Sequence, residues 1–281
     1  MATPNLLNAM LNMSKATNKL SKMKRYNNRI TQAGVALEIY VKNSFCGVPD
    51  KLAGNIDILH DKIFSYAGNL NHPPDAMLKG GNKGDAIEIK KLESLDASTI
   101  ALNSSYPKAR LYSDSTLLTK ACKECEPGWK VRDMIYAVGY ANGSILNAID
   151  FVYGDCYAAD REVYESIASR VKAGIAGEGL EFSETKELGR INRADPLGRT
   201  YLRLRGMWGI LTPAKAFKEK IGESRTGKFT ITALMKASKY LSFPKEDRLE
   251  IERVFKVSDI KIRNPNGAGL LNAKFIVYNR V

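Results

Sequence analysis

The amino-acid sequence predicts an α/β fold, a mixed β-sheet flanked by helices, because the period of its apolar residues changes along the chain. Residues 5–45 keep a helical period, with Ile30, Ala33, Leu37, Val41 and Phe45 at three- and four-residue intervals and no proline between Pro4 and Pro49. Short strand-like runs bounded by glycine follow from about 56 to 93, and two longer ones occupy 130–140 and 145–153.

The first three strands are expected at 62–67, 75–78 and 85–92, separated by Gly68-Asn69 and by Gly80-Gly81-Asn82-Lys83-Gly84. Asn142-Gly143 supplies a turn between the two longer runs, and residues 159–173 return to a helical period with alternating charges. The order is αβββ(loop)ββα. Beyond it come short elements and basic loops, notably 189–206, and a closing apolar strand at 273–278. With no internal repeat or linker, residues 1–281 are expected to form a single domain. Its core spans about 25–175, and residues from about 176 to 281 supply mainly additional and recognition elements.

A chain of 281 residues that is 44% hydrophobic, with ten prolines, can bury a large core, which argues against disorder. No stretch of eighteen apolar residues offers a membrane span, and the N-terminal residues lack the pattern of a secretion signal, so a cytoplasmic protein is expected. Four cysteines, Cys46, Cys122, Cys125 and Cys156, are too few for a disulfide scaffold. Cys122 and Cys125 form a C-x-x-C, but no second pair follows and both histidines lie far upstream, so thiols are expected rather than a structural zinc. The net charge of +13 favours polyanionic partners without identifying one.

The chemistry lies in Pro73-Pro74-Asp75, followed after twelve intervening residues by Glu88-Ile89-Lys90. Alternate side chains of a strand share a face, so Glu88 and Lys90 point one way while Ile87 and Ile89 point into the opposite layer. If Asp75 lies on an antiparallel partner strand across the glycine turn, its carboxylate approaches that of Glu88 and the two can share a divalent cation. Phosphodiester hydrolysis needs hard oxygen ligands for Mg²⁺ and a nearby ammonium to hold the attacking water. The alternative leaves Glu88 and Lys90 solvated on an exposed sheet face and Asp75 in an ordinary turn. The setting favours chemistry: a Pro-Asp at a strand start, an alternating strand carrying the E-x-K, glycines between them, and a helix with Glu38 upstream.

With these residues in place the sequence resembles the PD-(D/E)xK nuclease superfamily, and within it the NgoPII family of type II restriction endonucleases. The resemblance runs through Tyr26-Asn27-Asn28-Arg29, Gly34-Val35-Ala36-Leu37-Glu38, the block from His72 to Gly81, the block from Asp85 to Lys91, and Leu102-Asn103-Ser104-Ser105-Tyr106-Pro107. It implies a restriction-endonuclease-like core and a homodimer that cuts both strands of double-stranded DNA at a short GC-rich palindrome. GGCC is the family's characteristic site, Mg²⁺ its cofactor, and a cognate DNA methyltransferase its functional companion. Carried over by motif, Asp75 and Glu88 are the metal-binding carboxylates, Lys90 the catalytic lysine, and Glu38 the helix glutamate near the metal's water shell. Asp85 is a weaker ligand, because three residues from Glu88 it faces the other side of the strand.

Reading G·C pairs calls for Arg or Lys donors to guanine. Arg190, Arg193, Arg199, Arg203 and Arg205, with Tyr201 among them, are candidates for that reading or for holding phosphates. Asn103, Ser104, Ser105, Tyr106 and Lys108, just after the catalytic strands, are candidates to meet the cleaved backbone or to form a capping turn. Gly222 to Lys228 fits the start of a phosphate-binding loop, yet Phe229 follows where a hydroxyl is needed, and residues 213–221 read as a helix where a strand is required. Trp129 and Trp208 are expected to be packing residues. Two other functions fit the same features: a structure-specific repair nuclease of the superfamily, and a basic DNA-binding protein with an inert carboxylate cluster.

Overall fold

The structure is a computed structural model and describes residues 4–21, 29–50, 56–69, 72–103, 105–176, 181–185 and 188–281. The long helical segment read from the sequence is divided. Helix α1 (Leu6–Lys15) begins at Asn5, whose side chain accepts from the Leu7 and Asn8 amides while Asn8 returns a bond to the Asn5 amide. It ends because Asp50 captures the Thr17 amide and hydroxyl and the Arg280 guanidinium takes the Ser14 and Ala16 carbonyls. Leu6, Leu7, Met10 and Met13 are wholly buried, each contributing roughly 1.5–3 kcal/mol by transfer from water.

Helix α2 (Arg29–Phe45) lays Leu37, Val41 and Phe45 on the sheet, while of the expected apolar stripe the side chains of Ile30 and Ala33 lie outside what is described. A third helix, α3 (Ile56–Ile63), takes a segment assigned to the strand region, because buried His60 bonds the Asn43 carboxamide through Nε2 at 2.9 Å and docks α3 on α2. The first strand therefore starts late, as β1 (Phe64–Tyr66).

Next come β2 (Ala76–Leu78), β3 (Ala86–Leu92), β4 (Thr99–Asn103), β5 (Arg110–Tyr112), the short α4 (Lys120–Lys123), and a hairpin of β6 (Val131–Asn142) and β7 (Ile145–Tyr153). After α5 (Gly154–Tyr157) and α6 (Arg161–Ala176), the strands β8 (Phe182–Ser183), β9 (Gly189–Ile191) and β10 (Leu202–Leu204) form a separate three-stranded sheet. β11 (Trp208–Leu211) pairs with β4, and α7 (Pro213–Ala216) continues into a short π-helical turn. β12 (Phe229–Lys236), α8 (Ala237–Ser242), α9 (Lys245–Val254), β13 (Lys256–Arg263) and β14 (Leu270–Arg280) complete the chain.

The main sheet runs β1-β2-β3-β6-β7-β12-β14-β13, with β5 on β6. β3 is parallel to β6 and β12 is parallel to β7, whereas the remaining pairs are antiparallel. Residues 229–280, grouped by sequence with the added elements, thus supply three strands of the main sheet. β12 lies in its interior, buried along nearly its whole length, with Thr230 and Thr232 as deeply covered as its apolar residues. One face of the sheet packs on α1, α2, α8 and α9, and the other under β4, β11 and the short helices. A Cβ on Gly139 of β6 would lie 2.6 Å from Leu37 Cδ2, so this glycine lets α2 settle close to the sheet and brings Glu38 toward β3. Among the described residues no helix is long and apolar enough to cross a membrane.

Candidate active site

The glycine turn and a strand start place the first carboxylate. Asp75 precedes β2, its amide donates to the Ile87 carbonyl at 3.0 Å, and its Oδ2 accepts from the Ile89 amide at 2.6 Å. β2 and β3 pair with Ala76 opposite Ile87, so one step further along the register Asp75 stands across from Glu88. The turn between them is braced from outside: Glu126 accepts from the Gly80 and Gly81 amides at 3.0 and 3.2 Å. Fully buried Arg132 links Glu126 to the Leu78 carbonyl. Nothing in the motif pointed to this brace, since Glu126 and Arg132 lie over forty residues downstream.

Glu88 and Lys90 lie side by side as the strand period requires, with Lys90 Nζ 2.7 Å from Glu88 Oε1. The second oxygen, Glu88 Oε2, is buried and finds no hydrogen-bond partner among the described residues. Burial, then the neighbouring Glu88 charge, push the Asp75 carboxyl up to about 7, with Lys90 opposing. Burial alone would lower Lys90, but Glu88 and Asp75 outweigh it and hold its ammonium above the ordinary lysine value.

Glu38 approaches from α2. It lines an open cleft of about 520 Å³ with Asp75, Gly68, Asn69 and Lys91, and its charge adds to the upward push on Asp75. Lys42, 4% exposed, donates to Glu38 Oε1 at 2.5 Å. As an i, i+4 pair, Glu38 and Lys42 read in sequence as an ordinary surface ion pair, and only the burial of Lys42 distinguishes them. Asp85 is engaged elsewhere: Tyr153 Oη donates to it at 2.8 Å and Lys239 Nζ lies at 2.7 Å.

The site thus combines two neighbouring carboxylates, a buried Glu88 oxygen without a hydrogen-bond partner among the described residues, and an Asp75 whose ionisation is opposed by burial and by the Glu88 charge. Among the described residues no group of three or more His, Cys, Asp and Glu side chains gathers to hold a metal. Two hard oxygen donors with room for water and phosphate suit Mg²⁺, which keeps much of its hydration shell. Cys122 instead packs its sulfur 3.4 Å from that of Met77, and Cys125 contacts Ser65.

Lys108 extends the same sheet face. Its amide donates to Tyr136 Oη at 2.6 Å, and Tyr136 pairs with Glu88 across β3 and β6. The ammonium, buried, contacts Ser105 Oγ and the Tyr106 carbonyl. Burial lowers it to about 8, while Glu88 pulls the other way. With Tyr106, Arg161, Glu165, Gly206 and Trp208, Lys108 lines a second cleft of about 360 Å³. Asn103 ends β4 opposite Trp208, and Ser104 lies outside the described residues. Trp129 is buried, and Trp208 meets Tyr106 and Tyr164 edge-on, so both pack rather than stand free.

Of the arginines singled out in the sequence, Arg190 and Arg203 lie in the three-stranded sheet, Arg193 and Arg199 in the connection between β9 and β10, and Arg205 just after β10. Arg190 and Arg203 are cross-strand neighbours, both exposed, and the Arg190 guanidinium lies 3.9 Å over the Tyr201 ring. Arg193 takes a left-handed conformation (φ 48°) with Nε 3.9 Å from Glu181, and Arg199 and Arg205 are exposed. Leu188 and Gly206, next in sequence to β9 and close after β10, line the Lys108 cleft.

The model of the NgoPII restriction endonuclease family matches residues 4–266. The chain is 45% identical over 283 residues to the type II restriction enzyme NgoPII of Neisseria gonorrhoeae, covering 98% of this chain and 99% of that protein. No solved structure matches. The chain belongs to the NgoPII restriction endonuclease family and is, as such, a type II site-specific deoxyribonuclease.

Proposed function

We propose that this enzyme hydrolyses both strands of duplex DNA at a short GC-rich palindrome, GGCC, in a Mg²⁺-dependent reaction that leaves 5′-phosphates. The observation that carries the reading is Asp75 standing across from the Glu88–Lys90 pair, with one Glu88 oxygen left without a partner. Asp75 and Glu88 would hold the Mg²⁺ of a PD-(D/E)xK core. The ion, when bound, neutralises charge building on phosphorus and lowers the pKa of water.

Lys90 Nζ, held by Glu88, donates to the attacking water and to the phosphate oxygen that gains charge. The water's oxygen bonds to phosphorus and releases a proton to solvent as the bond to the 3′-oxygen breaks, and the departing oxygen takes a proton from solvent. Glu38 orders water at the mouth of the Asp75 cleft. Lys108, with Ser105 and Tyr106, contacts the strand next to the cut, and Arg190, Arg193, Arg199, Arg203 and Arg205 engage bases and phosphates. Residues 1–281 act as one endonuclease domain. A two-fold site is read by a homodimer, with a cognate methyltransferase protecting host DNA.

Incubating the purified protein with a plasmid of known sequence, in Mg²⁺ and in EDTA, and sequencing the ends tests this. Discrete Mg²⁺-dependent ends at GGCC support it. Tight binding with intact DNA in both tubes, or full cutting by Lys90→Ala, overturns it.

A further inference from the structure

Helix α6 has no fully buried residue, yet it turns a line of aliphatic side chains to solvent. Val163, Ile167 and Val171 are 47%, 46% and 41% exposed. At four-residue spacing they form one ridge, about 12 Å long at 1.5 Å per residue. The side of the helix about 100° around from the ridge does the packing: Tyr164 stacks on Tyr106 at 5.4 Å, and Ala168 and Lys172 line the cleft beside Lys108. An aliphatic stripe beside the packing side, left open to solvent, marks an interaction surface.

We propose that this ridge is where two copies of the chain meet, their α6 helices packed antiparallel about a two-fold axis near Ile167. The charge pattern names the occupant. The flank one residue ahead of the ridge reads Glu162, Ser166, Arg170, acidic at one end and basic at the other. In an antiparallel pair, equivalent flanks face each other with their ends reversed, so Glu162 meets the basic end of the second copy and Arg170 its acidic end. A parallel pairing sets like charges together. Glu162 has a side chain 70% exposed and touches only its neighbour Arg161, at 3.4 Å, among the ion pairs of the described residues, and Arg170 is exposed, so both are available. A membrane surface would call for a uniformly basic flank, and a nucleic acid gains nothing from an aliphatic ridge.

The inference rests on the reading of the enzyme as a homodimer, and sedimentation velocity of the full chain at micromolar concentration separates the two. Wild type is expected as a dimer, and Ile167→Glu as a monomer with its dissociation constant raised at least about 100-fold. Arg170→Glu is expected to weaken the dimer roughly fivefold to tenfold, and the double variant Glu162→Arg/Arg170→Glu to restore it to within about threefold. A dimer unchanged by Ile167→Glu overturns the α6 assignment and leaves the homodimer standing. A monomeric wild type, with and without duplex DNA, overturns both. If Ile167→Glu fails to fold by circular dichroism, the charge swap decides alone: restoration supports the ridge, and a double variant as weak as Arg170→Glu overturns it.

Discussion

Lys42 lies one helical turn beyond Glu38 on α2 and donates both to that carboxylate and to the Ala67 carbonyl, each at 2.5 Å. A single buried ammonium therefore ties α2 to the segment leading from β1 to Asp75, and sets Glu38 at the cleft. Lys42→Met removes that tie without adding a charge. Cleavage is expected to fall about 10- to 100-fold, with weaker Mg²⁺ dependence, as for other supports of metal-site residues. Single-turnover rates across a Mg²⁺ titration check this, and a wild-type curve would show that Glu38 is held by other means.

Asp75 titrates near 7 in the folded protein, against 3.8 for an ordinary aspartate, because of burial and the Glu88 charge. The native state thus holds that proton more tightly than the unfolded chain does. The group's contribution to stability is fully present below about 4 and is lost as pH rises through about 7. Mg²⁺ bound at Asp75 as proposed would have to displace the proton, so the thermal stabilisation it gives should grow from pH 6 to pH 8. Asp75→Asn should abolish that growth, and a Mg²⁺ shift independent of pH in the wild type would count against this account.

Gly68 has φ +94°, and a Cβ there would lie 2.3 Å from the Asp75 carbonyl oxygen. Neither the backbone angle nor the contact can relax without moving Asp75. Gly68→Ala should lower cleavage by about 100-fold, the scale expected when a reacting group is misplaced by about 1 Å, and cost about 1–3 kcal/mol from strain. Activity assays beside thermal melts would reveal both losses; an active, stable variant would mean that the loop adapts.

Lys108 is lowered to about 8 by burial, so its charge is present below that pH and is lost as pH rises through it. If it contacts DNA phosphate, affinity measured in Ca²⁺ or EDTA should fall from pH 7 to pH 9, and Lys108→Met should bind more weakly at pH 7 with a flatter profile. Parallel profiles for the two proteins would remove Lys108 from the interface.

The catalytic strands were legible in the sequence because their information is local. The two-residue period placed Glu88 and Lys90 on one face, and the glycine turn brought Asp75 across from them. Lys42, Arg132 and Glu126 were not legible, because their roles arise from burial and from contacts across the fold. The break between α1 and α2 follows from Asp50 and Arg280, which reach it from distant segments. Of the late strands of the main sheet, the run at 273–278 was legible and lies within β14, whereas β12 and β13 stayed hidden. β12 is covered on both faces, so even Thr230 and Thr232 are buried and no solvent side marks it as a strand, and its neighbours β7 and β14 come from either side of it in the chain.

The position of β12 also bears on how the enzyme is made. As the chain leaves the ribosome, β7 emerges with one edge open, and its interior partner arrives only after residues 154–228 have been synthesised. Until then buried Asp150 lacks both Arg225, whose Nη2 donates to it at 2.6 Å, and the Thr232 hydroxyl at 2.8 Å. A bare apolar strand edge with an unneutralised carboxylate is poorly stable and prone to pair with other chains. Incomplete translation products should therefore be cleared or aggregate rather than fold around Asp75, Glu88 and Lys90, although all three have already been translated. That delay would confine the nuclease to finished chains.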